Sequence, residues 1–140
     1  MRKKFLGTLA VAFCAAAIFG CSLNSIIGKW TGSLTVNEPT TNSDITTAYT
    51  FEFKSDKTFT CDQTVTAVTT LGTTAKTISE SGTYTTQDTT LTMTITTYTV
   101  DGVKVEPGAK NVIFTYLRAG DVLTLTPNTS LAIPIVLTKE

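Results

Sequence analysis

The segment Thr90-Leu91-Thr92-Met93-Thr94-Ile95-Thr96 alternates polar and apolar residues without a break. Period two sends every apolar side chain to one side of an extended chain, whereas a helix would scatter them around its circumference. A common face for Leu91, Met93 and Ile95 therefore calls for a strand with one dry side and one wet side. The same habit runs through most of the chain. Threonine supplies about a quarter of residues 21–140, and its β-branched side chain favours extended backbone.

Eight principal strands follow. The first runs from about Gly28 to Val36, with Trp30, Leu34 and Val36 on one face. The second spans about Thr46 to Lys54 and groups Tyr49, Phe51 and Phe53; after the turn Ser55-Asp56-Lys57, the third carries Phe59, Cys61 and Val65 to about Val68. Thr69 to Thr74, with Gly72, reads as a loop before a fourth strand, Lys76 to Thr85, that shares Ile78, Gly82 and Tyr84 on one face. In the fifth, Thr90 to Val100, parity slips at Thr96-Thr97, as a β-bulge would cause. Asp101-Gly102 is a two-residue hairpin signal whose return arm is cut short by Pro107-Gly108. Asn111 to Arg118, Val122 to Thr126 and Ile133 to Lys139 complete the set, with Pro134 near the start of the last. Sequential strands joined by short turns form a meander, and a meander escapes exposed edges best by closing on itself. The expected fold is all-β: a single antiparallel up-and-down eight-stranded barrel over residues 27–140.

The first twenty residues read as an address. Arg2, Lys3 and Lys4 precede the sixteen-residue apolar run Phe5 to Gly20, which is short for a membrane span but ample for a signal-peptide core. The run ends Ile18-Phe19-Gly20-Cys21, which resembles a bacterial lipobox. The resemblance implies cleavage before Cys21, acylation of that residue, and a short tether over residues 21–26. The membrane, reached through acylated Cys21, is then the expected partner. Ser22 in place of Asp favours an outer-membrane or surface position. Residues 21–140 carry eight bases and eleven acids, a net charge of −3, leaving no basic field for nucleic acid. With Cys14 in the leader and Cys21 acylated, Cys61 is the remaining thiol and has no disulfide partner; in an alternating strand it reads as a small buried hydrophobe.

Gly28-Lys29-Trp30 opens the first strand directly after the apolar turn Leu23 to Ile27. This resembles the G-x-W of lipocalins and their calycin relatives. Phrases such as Tyr49 to Phe59, Ser81-Gly-Thr-Tyr84, Gly120-Asp-Val-Leu-Thr-Leu125 and Leu137-Thr-Lys139 are similar to those of small bacterial lipocalin-like lipoproteins. The resemblance covers roughly residues 23–140. It implies that Gly28 and Trp30 close one barrel end, with a late basic side chain, Lys139 or Arg118, packed on the indole. It also implies a lid formed by the polar stretch Asn37 to Asp44 over the other end.

The chain has no His, which removes the commonest general base and metal ligand. Asp56, Asp88, Asp101 and Asp121 occupy turns, while Glu52 and Glu80 read as solvent-facing or as interruptions of apolar faces. No enzyme, cofactor or metal site is expected. The aromatic set is the stronger lead. Leu34, Tyr49, Phe51, Phe53, Phe59, Tyr84, Met93 and Phe114 fit the wall of a pocket for a small hydrophobic ligand. The same set fits a filled core, which would instead make a structural or protein-interaction module.

Overall fold

The structure, a computed structural model, describes residues 25–106 and 110–140. The leader, the candidate acylation site Cys21 and the Pro107-Gly108 stop lie outside the described residues. The strands are β1 (Gly28–Glu38), β2 (Ser43–Phe53), β3 (Thr58–Thr69), β4 (Gly72–Gln87), β5 (Thr90–Val100), β6 (Val103–Val105), β7 (Lys110–Ala119), β8 (Val122–Pro127) and β9 (Ile135–Lys139). Each consecutive pair from β1 to β6 is antiparallel, as are β5–β7, β7–β8 and β8–β9. The circuit closes where β9 meets β1, through Trp30↔Lys139 and Thr31↔Thr138. The result is a closed, antiparallel, eight-stranded barrel in meander order with one extra strand.

The extra strand has a simple origin. β6 lies against Tyr98–Val100 and β7 against Thr90–Ile95, both on the side of β5 away from β4. They are two stretches of one return path along β5. Asp101 (φ +50°) and Gly102 (φ +78°) make the turn into it, the two left-handed conformations that a tight hairpin needs. The slip expected at Thr96-Thr97 is also present. Ser81 pairs with Thr97 and Gly82 with Ile95, so Thr96 has no opposite number. At this bulge a Cβ on Gly82 would sit 1.9 Å from the Thr94 carbonyl oxygen, so close an approach of two backbones requires glycine.

Two expected loops are strands instead. The stretch Asn37 to Asp44 is not a lid: Asn37 pairs with Asp44 and Glu38 with Ser43, leaving residues 39–42 as the turn. Its polar side chains hold the hairpin together, with Asn37 Nδ2 donating to Asp44 Oδ1 at 2.8 Å and Thr40 Oγ1 to Glu38 Oε1 at 2.8 Å. Likewise Thr69 pairs with Gly72, so the loop over 69–74 shrinks to the turn Thr70-Leu71. In both stretches cross-strand hydrogen bonding outweighs the turn-like composition.

These extensions make the barrel lopsided. β2, β3 and β4 have 11, 12 and 16 residues, whereas β8 and β9 have 6 and 5. The tall wall rises past the short one at the end opposite Trp30. Below the rim the interior is solid, with Trp30, Phe53, Phe59, Leu91, Leu123 and Leu137 almost wholly out of solvent. Every strand except the short, exposed β6 contributes side chains to one continuous core within Ser25–Glu140, which is therefore a self-contained folding unit.

Gly82→Ala should lower stability by about 1–3 kcal/mol, because a methyl there must push the Thr94 carbonyl aside. A urea titration will show it as a lower midpoint at unchanged slope. An unchanged midpoint would mean that the bulge absorbs the methyl freely.

Candidate binding site at the barrel mouth

The closed end sets the floor. Trp30 is fully buried, and its Nε1 donates to the Ile26 carbonyl at 2.7 Å, so the segment before β1 folds under the barrel. Two cations sit over the indole: the Arg118 guanidinium carbon lies 5.5 Å and Lys139 Nζ 5.8 Å from the ring centroid. The choice between Arg118 and Lys139 thus resolves to both. Arg118 also donates from Nη1 to the Ser25 carbonyl and from Nε to the Gly120 carbonyl at 3.0 Å. Lys139 packs its stem beside Gly28, where a Cβ would stand 3.1 Å from Lys139 Cε.

An aromatic ladder rises from this floor. Phe53 meets Tyr84 edge-on at 5.1 Å, Phe51 stacks on Phe53 at 5.7 Å, and Tyr49 on Phe51 at 6.0 Å. Alternate residues of β2 face inward, so the ladder follows from period two alone. Tyr84 Oη donates to the Lys54 carbonyl at 2.8 Å, which satisfies its hydroxyl at the floor.

Above Phe51 the interior opens into a half-enclosed cavity of about 260 Å³. Tyr49, Phe51, Met93, Ile95, Val112 and Phe114 form most of its wall, with Pro127 and Ile135 on the short side. Two polar groups complete it: Gln63 of β3 and Glu80 of β4. Of the residues expected to line a pocket, Tyr49, Phe51, Met93 and Phe114 come together here. Phe53, Phe59 and Tyr84 lie below in the packed floor, and Leu34 is half-buried on the inner side of β1 away from the cavity lining.

Of the two expectations for Glu80, it interrupts the apolar inner face of β4 rather than facing solvent. It is half-buried and points inward, with Gln63 Nε2 donating to its Oε2 at 3.4 Å. The signal was parity: Ile78, Gly82 and Tyr84 define the inner face of β4, and Glu80 falls between them. Loss of hydration raises its pKa above the usual carboxyl value, with Lys110 pulling more weakly in the other direction. Burial likewise pushes up the Cys61 thiol and the Tyr49 phenol. Cys61 is fully buried and stays protonated, an inert packing group rather than a nucleophile. Among the described residues, no three His, Cys, Asp or Glu side chains gather as metal ligands would.

Two predictions follow from these ends of the barrel. Arg118→Ala should cost more stability than Lys139→Ala, because it removes hydrogen bonds to Ser25 and Gly120 as well as a cation on Trp30. The cation–indole share of each is about 0.5–2 kcal/mol, measurable by denaturation followed through Trp30 fluorescence. For Glu80, the folded chain holds its proton more tightly than the unfolded chain does, so stability declines as pH rises from the ordinary carboxyl range through the raised pKa. Glu80→Gln should match the parent below about pH 4 and melt at increasingly higher temperature than the parent toward pH 7. A variant that melts lower at neutral pH would show that Lys110 and Gln63 outweigh the lost hydration.

In comparison with known proteins, no family model matches the chain and no curated protein sequence matches it.

Proposed function

We propose that this chain is an exported lipoprotein whose lipocalin-like barrel binds a small hydrophobic or amphipathic molecule without covalent chemistry. The observation that carries the reading is the half-open cavity of about 260 Å³, walled by Tyr49, Phe51, Met93 and Phe114 above a packed floor. A concave apolar site with a few convergent polar groups is the usual form of a small-molecule site. Affinity would come from apolar ligand area removed from water, about 25 cal/mol per Å² before the entropy losses of association. In this reading Cys21 carries the acyl anchor, and the barrel stands at an outer membrane or cell surface with its floor toward the tether. Described residues start at Ser25 beneath the floor, so the mouth would face away from the anchor.

One observation favours a second reading. The lower barrel is filled, and the mouth ends in exposed apolar side chains, Leu71 at 99% and Leu131 at 90% exposure. A module that engages another envelope protein through such tips would need no ligand at all.

Native mass spectrometry of residues 25–140 purified from cells separates the two. A co-purifying lipid-like mass, lost when Met93→Trp fills the cavity, is the expected result. A clean mass from a protein that also rejects hydrophobic dyes would leave the interaction module. Cys21→Ser in the full chain should move the protein from the membrane to the soluble fraction, and unaltered fractionation would refute the anchor.

A further inference from the structure

Glu80 is the one ionisable side chain with a carboxylate in the cavity wall, and nothing among the described residues pairs with it closely. The ion pairs there are Lys29–Glu140 and Lys104–Glu106, both exposed and neither at the mouth. Its single hydrogen bond is the long one, at 3.4 Å, from Gln63. Its cross-strand neighbours are Cys61 on β3 and Tyr98 on β5, neither of which supplies a positive charge. Tyr49 stands on β2 beyond Gln63. Lys110, opposite Ile95 on β7 with only β5 between it and β4, has the inward parity of Val112 and acts on Glu80 through space, but it is exposed and outside the lining. The remaining wall is apolar or aromatic.

From this arrangement, and resting on the binding function proposed above, we infer that the cavity selects apolar molecules bearing a protonated amine, whose head meets the Glu80 carboxylate while the tail packs on Phe51, Met93 and Phe114. A half-buried carboxylate with one long hydrogen bond and no cation in contact is costly, and a cation that arrives with its own apolar tail supplies the missing charge-assisted hydrogen bond. A carboxylate head would set two like charges together in a poorly hydrated site and be rejected. Gln63 is placed to accept a second ammonium hydrogen through its amide oxygen while its nitrogen keeps hold of Glu80.

The test uses one tail and three heads. Octylamine, octanol and octanoate are titrated into residues 25–140 by calorimetry at about pH 7.5, where the amine is protonated. Octylamine should bind about tenfold or more tightly than octanol, with octanoate weakest. In Glu80→Gln, a near-isosteric change, the amine preference should vanish, with octylamine binding no tighter than octanol does to the same variant. Binding of octanol or octanoate at least as tight as octylamine would overturn the head-group assignment and leave the hydrophobic cavity standing. Retention of the amine preference in Glu80→Gln would overturn the role of Glu80. No binding of any of the three, with parent and variant both folded by circular dichroism, would overturn the binding function and this inference together.

Discussion

The ladder between β9 and β1 is the contact on which the other features rest. It is only two residue pairs long, Trp30↔Lys139 and Thr31↔Thr138, and so thin a seam does not hold a barrel shut through its hydrogen bonds alone. Side chains at the seam do the remaining work. Full burial of an indole is worth on the order of 4–6 kcal/mol before entropy losses, and Trp30 can be buried only if β9 lies beside it. Lys139 comes from β9 and Arg118 from β7, so the two cations on the indole tie both flanks of the late hairpins to the first strand. Gly32 acts one step further along: a Cβ there would stand 2.2 Å from the Val136 carbonyl oxygen, so the close approach of β1 to β9 depends on its absence.

Closure at one end and unequal strand length at the other produce the mouth. Past Thr31 no further β1–β9 pairs form, and β8 and β9 stop at Pro127 and begin at Ile135. The inner faces of β2, β3 and β4 continue above that rim. They carry a graded set of residues: fully buried Phe53 and Phe59 deep down, Phe51 and Cys61 in the next row, then Tyr49 with Gln63, and Thr47 with Val65 near the top. Exposure rises with height, from fully buried to half-buried rows, although the row above these, Ile45 with Ala67, is apolar again. Glu80 is tolerable where it stands since the mouth is only half enclosed, and the same residue two rows lower would carry a far larger desolvation cost.

Much of this was legible from the residues, and the parts that were not share a cause. Alternation identified which side of each strand faces inward, the parity slip located the bulge at Thr96, and Asp101-Gly102 fixed a turn. Parity says nothing about height, however. How far up the barrel an inward residue sits depends on strand stagger, which only the closed structure defines. Hence Tyr49, Phe51, Met93 and Phe114 could not be separated from Phe53, Phe59 and Tyr84, although all of them face inward. The stretches 37–44 and 69–74 misled for a different reason. Asn, Asp, Pro and Gly there suggest loops, but Thr residues around them pair well across strands, and strand pairing extended almost to each turn. Glu80 was within reach, since its position between Ile78 and Gly82 gives its direction; the usual habit of charged side chains argued the other way.

The division between floor and mouth has a consequence for how this barrel would work. The floor is close-packed and joined to the seam, so its substitutions are felt as stability throughout the barrel. The mouth combines buried core residues such as Phe51 and Met93 with half-buried groups, Tyr49, Gln63 and Glu80. On the proposed reading it is changes at the half-buried groups that would alter what the cavity accepts at the smaller cost to the fold. On that reading such a scaffold would change its ligand while keeping its architecture, because the groups that would choose the ligand are not those that close the circle. Glu80 belongs wholly to the first kind. Its carboxylate contributes nothing to packing and is held at an energetic disadvantage by the cavity around it, a disadvantage that a cationic occupant would remove.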